Sequence, residues 1–164
     1  MTIAIGDRIP EARLSIMGEA GPRNIDSLNL FRGKRMVVFG VPGAFTPTCS
    51  ARHLPGFLES ADAFLERGID AIVCLAVNDV FVMDAWGKNQ GVGDRILMVA
   101  DGNGDFTRAA GLELDLTARG FGLRSHRYAM IVEDGVVSAM KLEKPGEFLV
   151  SDAQTMLGLL DGKR

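Results

Sequence analysis

Two short stretches, "MVVFGV" (36 to 41) and "AIVCLAV" (71 to 77), carry no charged residue and do not alternate between apolar and polar positions. A strand with one wet face alternates, so these runs predict strands buried on both faces, as in the middle of a parallel sheet covered by helices. Parallel neighbours need a crossover connection, and the residues between them supply one. In "CSARHLPGFLESADAFLERG", Leu54, Phe57, Leu58, Ala61 and Leu65 recur at helical intervals, with Gly68 placed to stop the helix. The result is a βαβ unit, and the fold class is α/β.

A second unit follows. "DVFVMDAWGKN" reads as a short helix, "ILMVA" (96 to 100) as a strand and "DFTRAAGL" as another helical stretch. Near the end, "RYAMIVEDGVVSAMKLE" gives two strand-like runs joined at Asp134-Gly135, the pair of residues that favours a tight hairpin. The last element, "SDAQTMLGLLDG", opens on Ser151 as N-cap candidate and sets Met156, Leu157 and Leu160 on one face. Strand, helix, strand, then hairpin and helix is similar to the thioredoxin-like order. The expectation is a single domain over residues 1 to 164, with a central mixed sheet flanked by helices and a late β-hairpin.

The totals narrow the function. At 164 residues and 47% hydrophobic content, one domain is expected to bury roughly two-thirds of the surface its unfolded chain exposes. The net charge of -3 offers no basic stripe for nucleic acid or an anionic membrane. No apolar run approaches the ~20 residues of a membrane span, and "MTIAIGDRIP" is not a secretory leader. Two cysteines, Cys49 and Cys74, do not make a disulfide framework, so a cytoplasmic, reducing location is expected.

Cys49 lies in "GVPGAFTPTCS", between the first buried run and the helix. Pro42 and Pro47 fix φ there and suit a rigid turn followed by a helix start. A thiol in the first helical turn meets unpaired N–H groups and the positive end of the dipole, which favour a thiolate. Ionisation alone is a modest aid: a free thiol of pKa about 8.5 is already roughly 3% thiolate at pH 7, so full ionisation gains about thirty-fold at most. A large rate needs donors and a cation aimed at a departing oxygen. Thr46, three residues before Cys49, offers a hydroxyl, and Arg127, heading "RYAMIV", offers the cation.

Pro42, Thr46 and Cys49 fit the spacing Pro, three residues, Thr, two residues, Cys, and "GVPGAFTPTCSARHLPGF" resembles the active-site segment of the peroxiredoxins. "LAVNDVFVMDAWG", "GLELDL" and "GFGLRSHRYAMIVEDGVV" are similar to segments of the type II, or peroxiredoxin-5, class, so the likeness covers nearly the whole chain. The resemblance implies a thiol-dependent peroxidase acting on hydrogen peroxide and organic hydroperoxides. Cys49 is then the peroxidatic cysteine that becomes a sulfenic acid, Arg127 the active-site arginine, Thr46 the hydrogen-bonding hydroxyl and Pro42 the residue that shapes and shields the loop. It implies no cofactor, a homodimer, and an external thiol as co-substrate. The thiol is external because the resolving cysteine that some members carry near the C-terminus has no counterpart in "GEFLVSDAQTML"; family precedent allows either reductant, with glutathione and glutaredoxin as first choice and thioredoxin as second.

Other readings are weaker. Cys74, inside "AIVCLAV", reads as a packing residue. By strand rise it lies roughly 10 Å too deep to meet Cys49 without local unfolding, against the ~7 Å between Cα atoms that a disulfide allows. His53, four residues after Cys49, raises a cysteine hydrolase, but no orienting Asn or Asp is evident and packing near the pocket is the plainer reading. "DGNGDFTRAAGLE" fails as a calcium loop at Phe106 and Leu112 and reads as a surface turn; it also fails as a dinucleotide fingerprint at Thr107. His126 and Arg127 are expected to face opposite ways on a strand. Phe45 is a candidate for an apolar collar, and Phe81 and Trp86 for core or dimer contacts. A binding or holdase protein whose cysteine merely senses oxidant is the reading from another class.

Overall fold

The computed structural model describes residues 1 to 162. Among the described residues, nine strands and six α-helices occur in the order β1 (Arg13–Gly18), β2 (Gly21–Asp26), α1 (Ser27–Phe31), β3 (Arg35–Val41), α2 (Leu54–Glu59), α3 (Ala61–Glu66), β4 (Ala71–Ala76), α4 (Val80–Gln90), β5 (Leu97–Ala100), α5 (Asp105–Ala109), β6 (Glu113–Asp115), β7 (Leu123–Ser125), β8 (Tyr128–Glu133), β9 (Val136–Leu142) and α6 (Ala153–Leu160). Seven strands form one mixed sheet in the order β2-β1-β5-β4-β3-β8-β9, while β6 and β7 make a small ribbon. The expected parallel centre is present: β3 pairs with β4 and β4 with β5 in parallel. The late hairpin β8–β9 adds antiparallel to β3, turning at Asp134 and Gly135 with φ of 47° and 79°.

Alternation along β3 divides the core. Val37, Phe39 and Val41 face a layer that includes Phe57, Phe64, Trp86 and Met156, and Met36 and Val38 face one that includes Phe31, Phe106 and Leu112. Cys49 and Cys74 both belong to the first layer. Gly40 on β3 lies under the ring of Tyr128; an added Cβ would sit 2.0 Å from its Cε1, so no other residue fits there.

Three sequence expectations need correction. The helix after Cys49 is not continuous: Cys49–His53 forms a π-turn, with Leu54 N–H donating to the Cys49 carbonyl, and Ser60 at φ −94°, ψ 7° separates α2 from α3. Pro55 explains the first break, because it cannot donate to the Ala51 carbonyl and its ring crowds that oxygen. Ser151 is not the cap of α6. Asp152 is, accepting from Thr155 N–H, while the Ser151 hydroxyl is turned inward to Glu143. The surface turn expected from Asp101 covers only Gly102 and Asn103, which are exposed. Asp101 is buried and caps α5, accepting from Thr107 N at 2.8 Å and Thr107 Oγ1 at 2.7 Å. The opening hairpin β1–β2 has no counterpart in the sequence reading, since "GPRNID" is polar and lies at the sheet edge.

Candidate active site

The loop from Pro42 to Thr46 leaves the C-terminal end of β3 and is tied on three sides. Asn78, just beyond β4, accepts from Ala44 N–H through Oδ1 at 2.9 Å. Arg124, on β7, donates Nη1–H to the Pro42 carbonyl at 3.4 Å. The same guanidinium passes so close to Gly43 that a Cβ there would meet Nη1 at 2.8 Å. Thr46 donates its hydroxyl proton to the Gly43 carbonyl at 2.7 Å. Its one proton is thereby committed, and its lone pairs are what it can offer a peroxide O–H.

Cys49 follows in the first turn and is fully buried. Arg127, immediately before β8, donates Nη2–H to Cys49 Sγ at 3.2 Å. Its Nη1 is 3.0 Å from His53 Nδ1, and His53 Nε2 is 2.9 Å from the Ser151 carbonyl. Because the guanidinium can only donate and the carbonyl can only accept, the imidazole is neutral, protonated at Nε2 and accepting at Nδ1. Its pKa is lowered to about 3, first by burial and then by the Arg127 charge. His53 therefore orients the arginine, and with Nδ1 occupied by Arg127 it cannot take a proton from the sulfur as a hydrolase would require.

Ser151 is fixed by Glu143, at the end of β9. The buried carboxylate of Glu143 accepts from Leu149, Val150 and Ser151 N–H at 2.8 to 2.9 Å and from the Ser151 hydroxyl at 2.7 Å. Burial pushes its pKa up, but these hydrogen bonds outweigh burial and hold it below the ordinary carboxylate range. The loop so anchored brings Phe148 to 4.8 Å from the His53 ring and 5.7 Å from the Arg127 guanidinium carbon. Sequence reasoning missed Asn78, Arg124, Glu143 and Phe148 as parts of this site, because each acts through partners 30 or more residues away or through a loop whose course sequence does not fix.

A cavity of about 760 Å³ opens over this arrangement, lined by Pro42, Thr46 and Arg127 among others. Cys49, fully buried and in contact with Arg127, is not itself part of the lining. His126 lines the cavity together with Arg127, against the alternation expectation, because both precede β8 and the strand pleat does not govern them. Phe45 is not in the lining. Its φ of 64° turns the ring outward toward Trp86, 6.5 Å between centroids, so it forms no collar. Trp86 is buried, and its Nε1–H donates to Ser50 Oγ at 3.0 Å, while Phe81 stays 65% exposed and is no core residue. Cys74 is buried in β4 opposite Phe39, and burial, with the neighbouring Cys49, pushes its thiol pKa up well above the usual value.

A mixed sheet with a cysteine at the head of the helix after an inner strand, and an arginine on that sulfur, defines a thioredoxin-fold thiol enzyme. The Redoxin family profile matches residues 4–157. Among curated proteins, "Peroxiredoxin-2E-2, chloroplastic" of Oryza sativa subsp. japonica is 48% identical, covering 97% of this chain and 73% of its own length. Peroxiredoxin-2B of Arabidopsis thaliana is 45% identical, covering 96% of this chain and 98% of its own. Among solved structures, reduced Prx3 of Vibrio vulnificus in complex with H2O2 superposes with a TM-score of 0.94 at 49% identity, covering 97% of this chain and 99% of that one. The chain belongs to the Redoxin family, among the type II peroxiredoxins. It is a thiol-dependent peroxidase.

Proposed function

We propose that Cys49 is the peroxidatic residue and that it reduces hydrogen peroxide and organic hydroperoxides, with the sulfenic acid recycled by an external thiol. The single observation that carries this reading is the 3.2 Å contact from Arg127 Nη2 to Cys49 Sγ, held by His53. The thiolate attacks the O–H oxygen of the peroxide, a sulfur–oxygen bond forms as the O–O bond breaks, and the sulfur is oxidised to Cys49–SOH. The other oxygen departs as alkoxide or hydroxide and takes up a proton. Arg127 stabilises the charge as it moves from sulfur to the departing oxygen, Thr46 accepts from the peroxide hydroxyl and Pro42 keeps water from the sulfur. Cys49 is fully buried, so in this reading peroxide reaches it when the Pro42–Thr46 loop yields slightly.

One external thiol then displaces water from the sulfenic acid to give a mixed disulfide, and a second releases Cys49. Cys74 does not serve as resolving group in this scheme, being buried with its thiol pKa raised. Glutathione with glutaredoxin is the favoured reductant and thioredoxin the second. The two free thiols suit a cytoplasmic location, and the exposed Phe45 and Phe81 suit a homodimer contact beside the site. The reading is tested by mixing reduced protein with peroxide in a stopped-flow instrument, following Trp86, whose indole is bonded to the residue after Cys49. A rate near that of free cysteine would sink it. A panel of glutathione with glutaredoxin against thioredoxin with its reductase assigns the reductant.

A further inference from the structure

The cavity over Cys49 differs in charge from the rest of the molecule. The chain carries a net charge of -3, yet Arg119, Arg124, Arg127 and Lys144 all line this one cavity, with Glu147 as the only acid among the lining residues. Two of these cations have other duties: Arg127 is on the sulfur and His53, and Arg124 holds the Pro42 and Phe121 carbonyls. Among the described residues, Arg119 and Lys144 have none. Neither takes part in any of the ion pairs found among the described residues, which join Arg35 to Glu133, Arg67 to Asp161, Lys88 to Asp84 and Arg108 to Asp105. Asp115, the acid closest to Arg119 in sequence, is turned to Thr117 instead, whereas its neighbours Leu114 and Leu116 point into the cavity. Arg119 and Lys144 are exposed where Arg124 and Arg127 are half-buried, and Leu114, Leu116, Phe121 and Pro145 add apolar wall to the same cavity.

We propose that Arg119 and Lys144 select small organic co-substrates that carry a carboxylate, the apolar wall holding the carbon skeleton and the two outer cations the anion. A space this large is not needed for hydrogen peroxide. Like charges crowded into a low-dielectric concavity repel one another, and a bound carboxylate relieves that repulsion while being drawn in by the field. The chemistry has two sources in a peroxidase cycle: a hydroperoxide with an anionic tail in the oxidising half, or a carboxylate-bearing thiol in the reducing half. This inference rests on the assignment of Cys49 as the reacting sulfur.

The test uses pairs of compounds that differ in charge. In the first arm, reduced protein is mixed with cumene hydroperoxide or its para-carboxylate, and the ratio of the two second-order rate constants is read from Trp86 fluorescence. In the second arm, protein oxidised with one equivalent of hydrogen peroxide is mixed with 3-mercaptopropionate or 2-mercaptoethanol, and the corresponding ratio is read. The double variant Arg119→Gln with Lys144→Gln is expected to lower the anionic-to-neutral ratio about fivefold in at least one arm, as is 0.5 M salt with the unaltered protein. Arg119→Lys with Lys144→Arg, which keeps both charges, is expected to restore it. A fall in the first arm assigns the pair to the hydroperoxide, and a fall in the second to the thiol. Ratios that match the unaltered protein in both arms overturn the proposal. Failure of the Cys49 assignment looks different, because Cys49→Ser would then still react with both hydroperoxides.

Discussion

The guanidinium of Arg127 donates to Nδ1 of His53 at 3.0 Å, and the imidazole is in turn held by the carbonyl of Ser151 at 2.9 Å. A planar donor with five N–H groups is thus locked by a neutral acceptor, leaving Nη2 aimed at Cys49. A carboxylate at position 53 would have bound the same guanidinium more tightly but would have cancelled the charge that faces Cys49. Neutral histidine orients the cation without quenching it.

Replacing Arg127 with lysine keeps a positive charge but cannot bridge His53 and Cys49 together. The rate constant for peroxide reacting with the reduced protein is expected to drop about a hundredfold, in the range that losing one oriented donor costs. Stopped-flow fluorescence of Trp86 measures it; a rate within a factor of three of the unaltered protein would remove Arg127 from the reaction.

His53 makes the fold sensitive to acid. Its pKa is about 3 in the folded chain against an ordinary 6.5, so between those values the unfolded chain binds a proton that the folded chain refuses. Stability contributed here is therefore complete above pH 6.5 and lost as pH falls toward 3, by up to about 1.4 kcal/mol per pH unit. Urea titrations of the protein and of His53→Gln at pH 4.5, 5.5 and 6.5 check this: the slope against pH should flatten in the variant.

Glu143→Gln keeps the shape of the side chain but replaces an acceptor with an amide NH2 that faces the N–H groups of the loop. Losing the charged hydrogen bonds is expected to cost about 2 to 3 kcal/mol of stability. Because the Ser151 carbonyl is held by the same clamp, the peroxide rate should fall as well; urea titration reads the stability loss and stopped-flow mixing with peroxide, without denaturant, reads the rate. The lowered pKa of Glu143 places its own acid loss below the ordinary carboxylate range, separate from the upper part of the His53 window.

Cys49→Ser should abolish thiol-dependent peroxide consumption. Cys74→Ala should leave turnover within a factor of two with an external thiol, since a buried thiol of raised pKa contributes no thiolate. Mass spectrometry of protein treated with one equivalent of peroxide gives a second check. Addition of one oxygen at Cys49 is expected, and a Cys49–Cys74 disulfide as the main product would reassign the resolving step.

The buried strands β3 and β4, the crossover between them, the hairpin at Asp134-Gly135 and the Pro42, Thr46, Cys49 spacing were legible in the sequence. Each is written in consecutive residues: strand burial in an unbroken apolar run, a tight turn in two residues that tolerate positive φ, a helix start in its prolines. Arg127 stood out as a cation at the head of a buried strand and matched the family's arginine, but no local pattern says that a residue 78 positions away will reach a given sulfur.

What only the folded chain decided was the means by which these pieces are held. His53 read as a packing residue because its two partners, Arg127 and Ser151, come from distant segments. Glu143 read as the end of a strand, although its carboxylate gathers the loop that follows. The polar strand β2 gave no signal, because an edge strand is fixed by the neighbour it pairs with rather than by its own burial. Local propensity and apolar periodicity act over a few residues and so survive in a linear reading. Charge orientation, the tautomer of a histidine and the depth of a sulfur depend on atoms that meet only when the sheet closes, and they exist nowhere but in the tertiary structure.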